Sequence, residues 1–98
     1  MAMKNRPDDY ERRMRDLVFR ALGDETRRKI LDIVREEPGI PLSDLFEHFP
    51  VSRFAIMKHL TVLEAAWLVR RERDGAIKRL RLDSGPLHHA RAWLRGFD

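Results

Sequence analysis

Residues 52–82 read SRFAIMKHLTVLEAAWLVRRERDGAIKRLRL, and the fold turns on this stretch because its pattern changes from helical to hairpin partway along. Ser52 suits the N-cap of a helix that continues to about Ala66. Ile56, Leu60 and Leu63 recur at +4 and +3 and give that helix one apolar stripe, which leaves Arg53, Phe54, Met57, Lys58 and Thr61 pointing outward. From Leu68 to Leu82 the chain reads as a β-hairpin. Asp74-Gly75 suits a type I′ turn, which needs positive φ at both central positions. A turn centred there sets Arg70 opposite Arg79 and Arg71 opposite Lys78. Like charges directly opposite destabilise a ribbon, unless a polyanion supplies the missing anions or the long side chains splay apart and are screened.

The charge is as local as the pattern. Residues 52–81 hold eight cations (Arg53, Lys58, Arg70, Arg71, Arg73, Lys78, Arg79 and Arg81) against Glu64, Glu72 and Asp74, a net of +5. Residues 1–51 hold 10 basic and 11 acidic residues, and residues 82–98 are neutral, so the whole chain carries +4. A cationic patch on a helix and a hairpin points to a polyanionic partner, and the helical patterning around it points to duplex DNA.

Working outward, a first helix is expected from Asp8 or Asp9 to Leu22. Tyr10, Met14, Leu17, Val18, Ala21 and Leu22 lie on one face, and Gly23 stops it. Asp24 caps a second helix that ends before Pro38-Gly39 and carries Ile30, Leu31, Ile33 and Val34 as its apolar stripe. Arg27, Arg28 and Lys29 sit at the wrong end of that helix for cations, so they form either a solvated face or the neighbourhood of a phosphate. Pro41 opens a short third helix with Leu42, Leu45, Phe46 and Phe49 as core candidates, and Pro50 ends it. After Asp83-Ser84-Gly85-Pro86 a last helix covers Leu87 to about Gly96, with Leu87, Ala90, Trp93, Leu94 and Phe97 on one side. Both outer helices carry more apolar face than a core this small needs. Tyr10, Met14, Leu17, Val18, Ala21, Leu87, Ala90, Trp93, Leu94 and Phe97 are therefore expected to meet their copies in a second subunit.

Composition narrows the alternatives. Ninety-eight residues suit one domain, here residues 8–98 after a disordered lead over residues 1–7. No apolar run nears the ~20 residues a membrane span needs, and Met1 to Asp9 lacks a signal-peptide core, so a cytoplasmic place is expected. The absence of cysteine excludes disulfides, thiolate metal sites and cysteine nucleophiles. Ser43, Asp44 and His48 share one short helix but have no pocket or oxyanion donor in view, so no enzyme is expected. His48 reads as a surface residue, and His59 as one that approaches a phosphate or packs the helix.

Two short helices, a tight turn and a basic hairpin describe a mainly α winged helix-turn-helix with a small β-hairpin: five helices, a two-stranded wing and a helical dimer interface. A major groove about 12 Å wide admits one helix. Ser52, Arg53, Phe54, Ala55, Met57, Lys58 and His59 occupy the turns that would enter it. The alternative on the same scaffold is a protein–protein interaction module without DNA binding.

The stretches VFRALGDETRRKILDIV (residues 18–34), PLSDLFEHFPVSRFAIMKHLTVLEAAWLV (41–69) and RRERDGAIKRLRL (70–82) resemble the ArsR/SmtB family of dimeric bacterial repressors. The SRFAIMKHL form is most similar to a branch often fused to, or encoded beside, an SRPBCC-type lipid-pocket domain; the 98 residues hold none. The resemblance implies an obligate dimer built from the first and last helices and an imperfect palindrome as its site. It implies base contacts from Ser52, Arg53, Phe54, Ala55, Met57, Lys58 and His59, and backbone contacts from Arg70, Arg71, Arg73, Lys78 and Arg79. It names no effector, and no cofactor is expected. The chain departs from the family pattern in four places. LSDLFEHF (42–49) lacks the thiols of the family's third-helix metal motif. His88 and His89 have no second pair after them, and adjacent helical residues point about 100° apart, so no metal site is expected. Trp67 stands where glycine usually ends the recognition helix, so it either bears the left-handed strain or reshapes the turn and packs under the wing. Phe46 replaces a usual alanine and implies a repacked groove.

Overall fold

The computed structural model describes residues 7–98, with side chains from Asp9 onward. The disordered lead expected over residues 1–7 therefore lies outside the described residues except for Pro7, which already belongs to the first helix. Among the described residues the chain forms α1 (Pro7–Leu22), α2 (Glu25–Glu36), α3 (Leu42–Phe46), α4 (Arg53–Ala65), an antiparallel hairpin of β1 (Val69–Asp74) and β2 (Ile77–Leu82), and α5 (Leu87–Arg95). This is the winged helix-turn-helix expected from the sequence.

One core serves all of it. Val18 and Ala21 of α1, Ile30 and Val34 of α2, Leu45 of α3, Ile56, Leu60 and Leu63 of α4, Leu68, and Leu80 of β2 are completely enclosed. Each large aliphatic side chain among them contributes about 1.5–3 kcal/mol by leaving water. The stripe read on α4 is thus the buried face of that helix. Leu42, Phe46 and Phe49 pack around the edge of the core, half-buried.

The helix ends show why the chain folds locally as it does. Asp24 caps α2 by accepting from the Arg27 backbone N–H at 3.1 Å. The cations that looked misplaced at the start of α2 are well placed for the end of α1. Arg27 donates from Nε to the Ala21 carbonyl at 3.1 Å and from Nη2 to the Arg20 carbonyl at 2.7 Å, while Arg28 Nη1 donates to the Leu22 carbonyl at 2.7 Å. They satisfy carbonyls that a helix C-terminus leaves without partners, at its negative pole. Neither of the two sequence readings, solvated face or phosphate neighbour, contained this tie between consecutive helices.

Ser52 caps α4 by accepting from the Ala55 N–H at 3.1 Å. At the far end Trp67 has φ +62°. The Trp67 N–H donates to the Glu64 carbonyl at 3.0 Å and the Leu68 N–H to the Leu63 carbonyl at 3.1 Å, with Leu63 and Leu68 both buried. These are the paired bonds and apolar contact of a Schellman ending. Trp67 therefore bears the left-handed strain, and its ring is 70% exposed rather than packed under the wing.

The hairpin register differs from expectation by a shift of the turn. Asp74 pairs with Ile77, so Gly75 and Ala76 are the two turn residues. Only Gly75 has positive φ, +63°, which matches a glycine at the first central position of a type II′ turn rather than a type I′ turn on Asp74-Gly75. Arg70 therefore faces Arg81 rather than Arg79, and Arg73 rather than Arg71 faces Lys78, while Glu72 faces Arg79 and Arg71 faces Leu80. Residues 39–41 lie along the outer edge of β2: the Gly39 N–H donates to the Leu80 carbonyl at 2.9 Å and the Leu80 N–H to the Ile40 carbonyl at 3.0 Å. Gly39 has φ +83°, so its conformation favours glycine, and a Cβ there would displace the tip of the Arg81 side chain, 2.9 Å away.

Two stability changes follow. Trp67→Gly should raise the unfolding free energy by about 1 kcal/mol, the cost of a left-handed L-residue, as read from urea titration; an unchanged or lowered midpoint would mean that the ring contributes contacts its exposure hides. Asp24→Ala should lower stability at neutral pH by about 1 kcal/mol. The Asp24 carboxyl is held below its ordinary value of 3.8, chiefly by the Arg27 backbone N–H. Its contribution is therefore present above that value and is lost as pH falls through the lowered folded pKa, so the gap between wild type and variant should close in acid.

Candidate nucleic-acid interface

The cap at Ser52 and the buried stripe of α4 fix which side chains that helix shows. Ser52, Arg53, Phe54 and Lys58 are exposed, and Ala55, Met57 and His59 are half-buried. Phe54 is 72% exposed, a large apolar ring left in water on the outer face. The two cations beside it rest on aromatic rings. The Arg53 guanidinium lies 5.1 Å from the centroid of Phe46, and the Lys58 ammonium 5.3 Å from that of Phe54. Such contacts attract a cation by ~0.5–1 kcal/mol at exposed sites and leave its hydrogen-bond donors free. Phe46, read from sequence only as a disturbance of the groove, is thus a platform for Arg53.

His59 is drawn inward. Its Nδ1 lies 3.2 Å from Arg27 Nη1 and 3.8 Å from Asp24 Oδ2. The guanidinium can only donate, so Nδ1 accepts and the ring proton sits on Nε2. His59 thereby joins α4 to the α1–α2 junction while staying half-exposed.

The wing sorts its cations into two groups. Glu72 accepts from Arg81 Nε at 2.9 Å and from Arg70 Nε at 3.0 Å, so one carboxylate sits between two arginines that face each other across the ribbon. These bonds hold the Glu72 carboxyl below its usual range, the Arg81 bond first. Arg71 makes a two-pronged pair with Glu64 at 2.7 and 3.1 Å, tying the wing root to the last turn of α4. Arg79 pairs with Asp74 at 2.8 Å and donates to the Gly39 carbonyl at 3.1 Å. Arg73 and Lys78, opposite each other near the tip, have no carboxylate partner among the described residues. The screening of facing arginines therefore comes largely from within the chain.

The outer helices divide in the same way. Met14, Val18 and Ala21 of α1 and Ala90 of α5 are covered by the chain itself, so the face they were expected to offer a second subunit is already used. Leu17 and Leu87 are half-buried, and Tyr10, Trp93, Leu94 and Phe97 remain exposed. Trp93 stacks edge-on with Phe19 at 5.5 Å and with Phe97 at 4.6 Å. The expectation that adjacent histidines diverge is not met. The His88 and His89 rings lie 3.8 Å apart at 39°, because His88 Nδ1 is held 2.9 Å from the Gly85 carbonyl and His89 Nδ1 2.8 Å from Glu11 Oε2. Ser43, Asp44 and His48 are all exposed on or just after α3.

A helix-turn-helix whose second helix displays cations beside a basic wing defines a protein of the winged-helix, transcription-regulator class. No family model matches the chain. It is 38% identical to the uncharacterized HTH-type transcriptional regulator YuzN of Bacillus subtilis (strain 168), across 82% of this chain and 95% of that protein. It is 34% identical to the transcriptional repressor SdpR of the same organism, across 82% and 88%. Among solved structures it resembles an ArsR-like transcriptional regulator from Rhodococcus sp. RHA1, with a TM-score of 0.71 and 39% identity across 84% and 77% of the two chains. The chain belongs to the ArsR family of transcriptional regulators.

If Glu72 is the carboxylate that masks Arg70 and Arg81, Glu72→Gln should elute from heparin at higher salt than wild type, with a small loss of stability from the uncovered arginine pair. Unchanged elution would show that these arginines do not reach a polyanion even when uncovered.

Proposed function

We propose that this chain is a dimeric repressor that sets the first two turns of α4 in the major groove of an imperfect palindrome and lays the wing on the flanking backbone. The observation that carries the reading is that, of the cations on α4 and the wing, Arg53, Lys58, Arg73 and Lys78 have no carboxylate partner among the described residues. They divide into two tasks. Arg53 and Lys58, with Ser52, Phe54, Ala55 and Met57, lie where base edges would be read, while Arg73 and Lys78 lie where a phosphate would be gripped. Arg70, Arg71 and Arg79 reach the backbone only by sharing or giving up Glu72, Glu64 and Asp74, so they contribute less than the tip pair.

Phe54 sharpens the reading. A ring this exposed between cations meets the one apolar group the major groove displays, the thymine 5-methyl. Pairing of two chains through Tyr10, Trp93, Leu94 and Phe97 would cover the remaining exposed apolar face and present two α4 helices to two half-sites. The relatives' names, one of them a repressor, support regulation by repression, and the SRFAIMKHL stretch supports membership of the SRPBCC-associated branch. No described helix is long and apolar enough to cross a membrane, which agrees with a cytoplasmic place.

The test is a mobility-shift titration on the DNA upstream of the gene, with the protein confirmed as a dimer by sedimentation. Arg53→Ala and Lys58→Ala should lose discrimination against unrelated DNA. Arg73→Ala and Lys78→Ala should weaken all sequences alike and flatten the log–log salt slope by about 1 for each phosphate contact removed. Replacing thymine by deoxyuridine in the half-sites should weaken wild type but not Phe54→Ala. A folded dimer that ignores the upstream DNA, with a flat salt response, would overturn the proposal in favour of a protein-binding module on the same scaffold.

A further inference from the structure

The proposed DNA contacts leave one cluster of chemically able side chains unused, at the seam between the first and last helices. Glu11 on α1 and His88 and His89 at the start of α5 each place one potential donor atom within 4.8 Å of the others. The geometry points to a divalent metal site here, of two imidazole nitrogens and one carboxylate oxygen, built within a single chain and suited to a borderline ion such as Zn2+ or Co2+.

Three features of the cluster favour an ion over an ordinary hydrogen-bonded pair. The first is the fixing of the ring protons. The Gly85 carbonyl can only accept, so the 2.9 Å contact puts a proton on His88 Nδ1 and leaves a lone pair on Nε2 in the neutral ring. Glu11 Oε2 lies 2.8 Å from His89 Nδ1, where an ion would take the place of the proton between them. An imidazole anchored through one nitrogen, with the other free to coordinate, is the arrangement metal-binding histidines take. The second is the stacking of the rings at 3.8 Å. The stacking sets two imidazoles side by side next to one carboxylate, and imidazole binds metal in its neutral form. The third is access. His89 is 7% exposed, walled by the edge of Tyr10 at 6.3 Å, whereas Glu11 and His88 open to solvent. An ion enters from outside and is seated on a buried ligand.

The donor set also selects the ion. Nitrogen and oxygen without a thiol suit Zn2+, Co2+ or Ni2+ rather than thiophilic ions. Donors on a tetrahedral zinc ion stand about 3.3 Å apart, given bonds of roughly 2.0–2.1 Å, so modest rotations of Glu11 and His88 close the site. Three protein ligands leave a fourth position for water. Because Glu11 and the two histidines come from different helices, an ion would clamp α1 to α5 in place of the Glu11–His89 hydrogen bond.

The experiment uses the untagged full chain, freed of metal by chelator dialysis and titrated with Co2+, then with Zn2+ against a chromophoric competitor. One ion per chain is expected, with visible Co2+ absorption of a nitrogen–oxygen site. Glu11→Gln and His88→Gln change exposed residues and should each weaken binding by tenfold or more, while His48→Gln at the end of α3 should bind as wild type does. Circular dichroism confirms that each variant is folded. No uptake at micromolar ion, or an affinity that Glu11→Gln and His88→Gln leave unchanged, would overturn the site. The readout does not involve DNA, so it stands or falls apart from the repressor reading.

Discussion

Helix α4 must be buried and displayed at once, and the burial of Ile56, Leu60 and Leu63 is the constraint the rest of the molecule serves. Those three side chains are fully enclosed. They set the rotation of the helix about its axis and so decide that Arg53, Phe54 and Lys58 face out. Around this stripe the other helices supply walls and ties. Arg27 alone touches the end of α1 through two carbonyls, lies beneath the Asp24 cap of its own helix, and meets His59 on α4. A guanidinium with five donors in a rigid fork suits such a junction, where a lysine would offer three donors from a single point.

Electrostatics then divides the surface by what each cation already holds. On the ribbon, Glu72, Glu64 and Asp74 neutralise the arginines near the root and along one face. Exposed pairs of this kind contribute little to stability, but they order long side chains. The ribbon can thus carry facing arginines through folding without a partner, while the two cations near the tip have no carboxylate among the described residues. On α4 the corresponding device is aromatic. Phe46 and Phe54 hold Arg53 and Lys58 without occupying their donors.

Much of this was legible in the sequence because it depends on period and on caps. The stripe of α4, the caps Asp24 and Ser52, the order of elements and the placing of Arg53 and Lys58 on an outward face all follow from spacing along one element. The rest depends on contacts between elements. That Arg27 and Arg28 serve the preceding helix, that Glu64 reaches across a helix end to Arg71, and that Met14, Val18, Ala21 and Ala90 are used within the chain needed three-dimensional neighbours. The hairpin register was missed for a local reason. Asp-Gly is a strong type I′ signal, but here glycine is the first central residue and aspartate the last of its strand, so the pairing shifted and changed which arginines face each other. His88 and His89 show the limit of helical-wheel reasoning: the Cα–Cβ directions diverge, but an anchor on each ring brings the two together.

The missing side chain at Gly39 reaches further than its size suggests. The Arg81 guanidinium occupies the space beside it, Arg81 holds Glu72, and Glu72 holds Arg70. Gly39 also bonds to Leu80 through its own N–H and receives Arg79 on its carbonyl. The loop that closes α2 and the root of the ribbon are therefore geared together, with a void for the tooth. A methyl group placed there would strain the loop and push the Arg81 guanidinium aside, loosening the run of contacts through Glu72 to Arg70 without changing any residue of the ribbon.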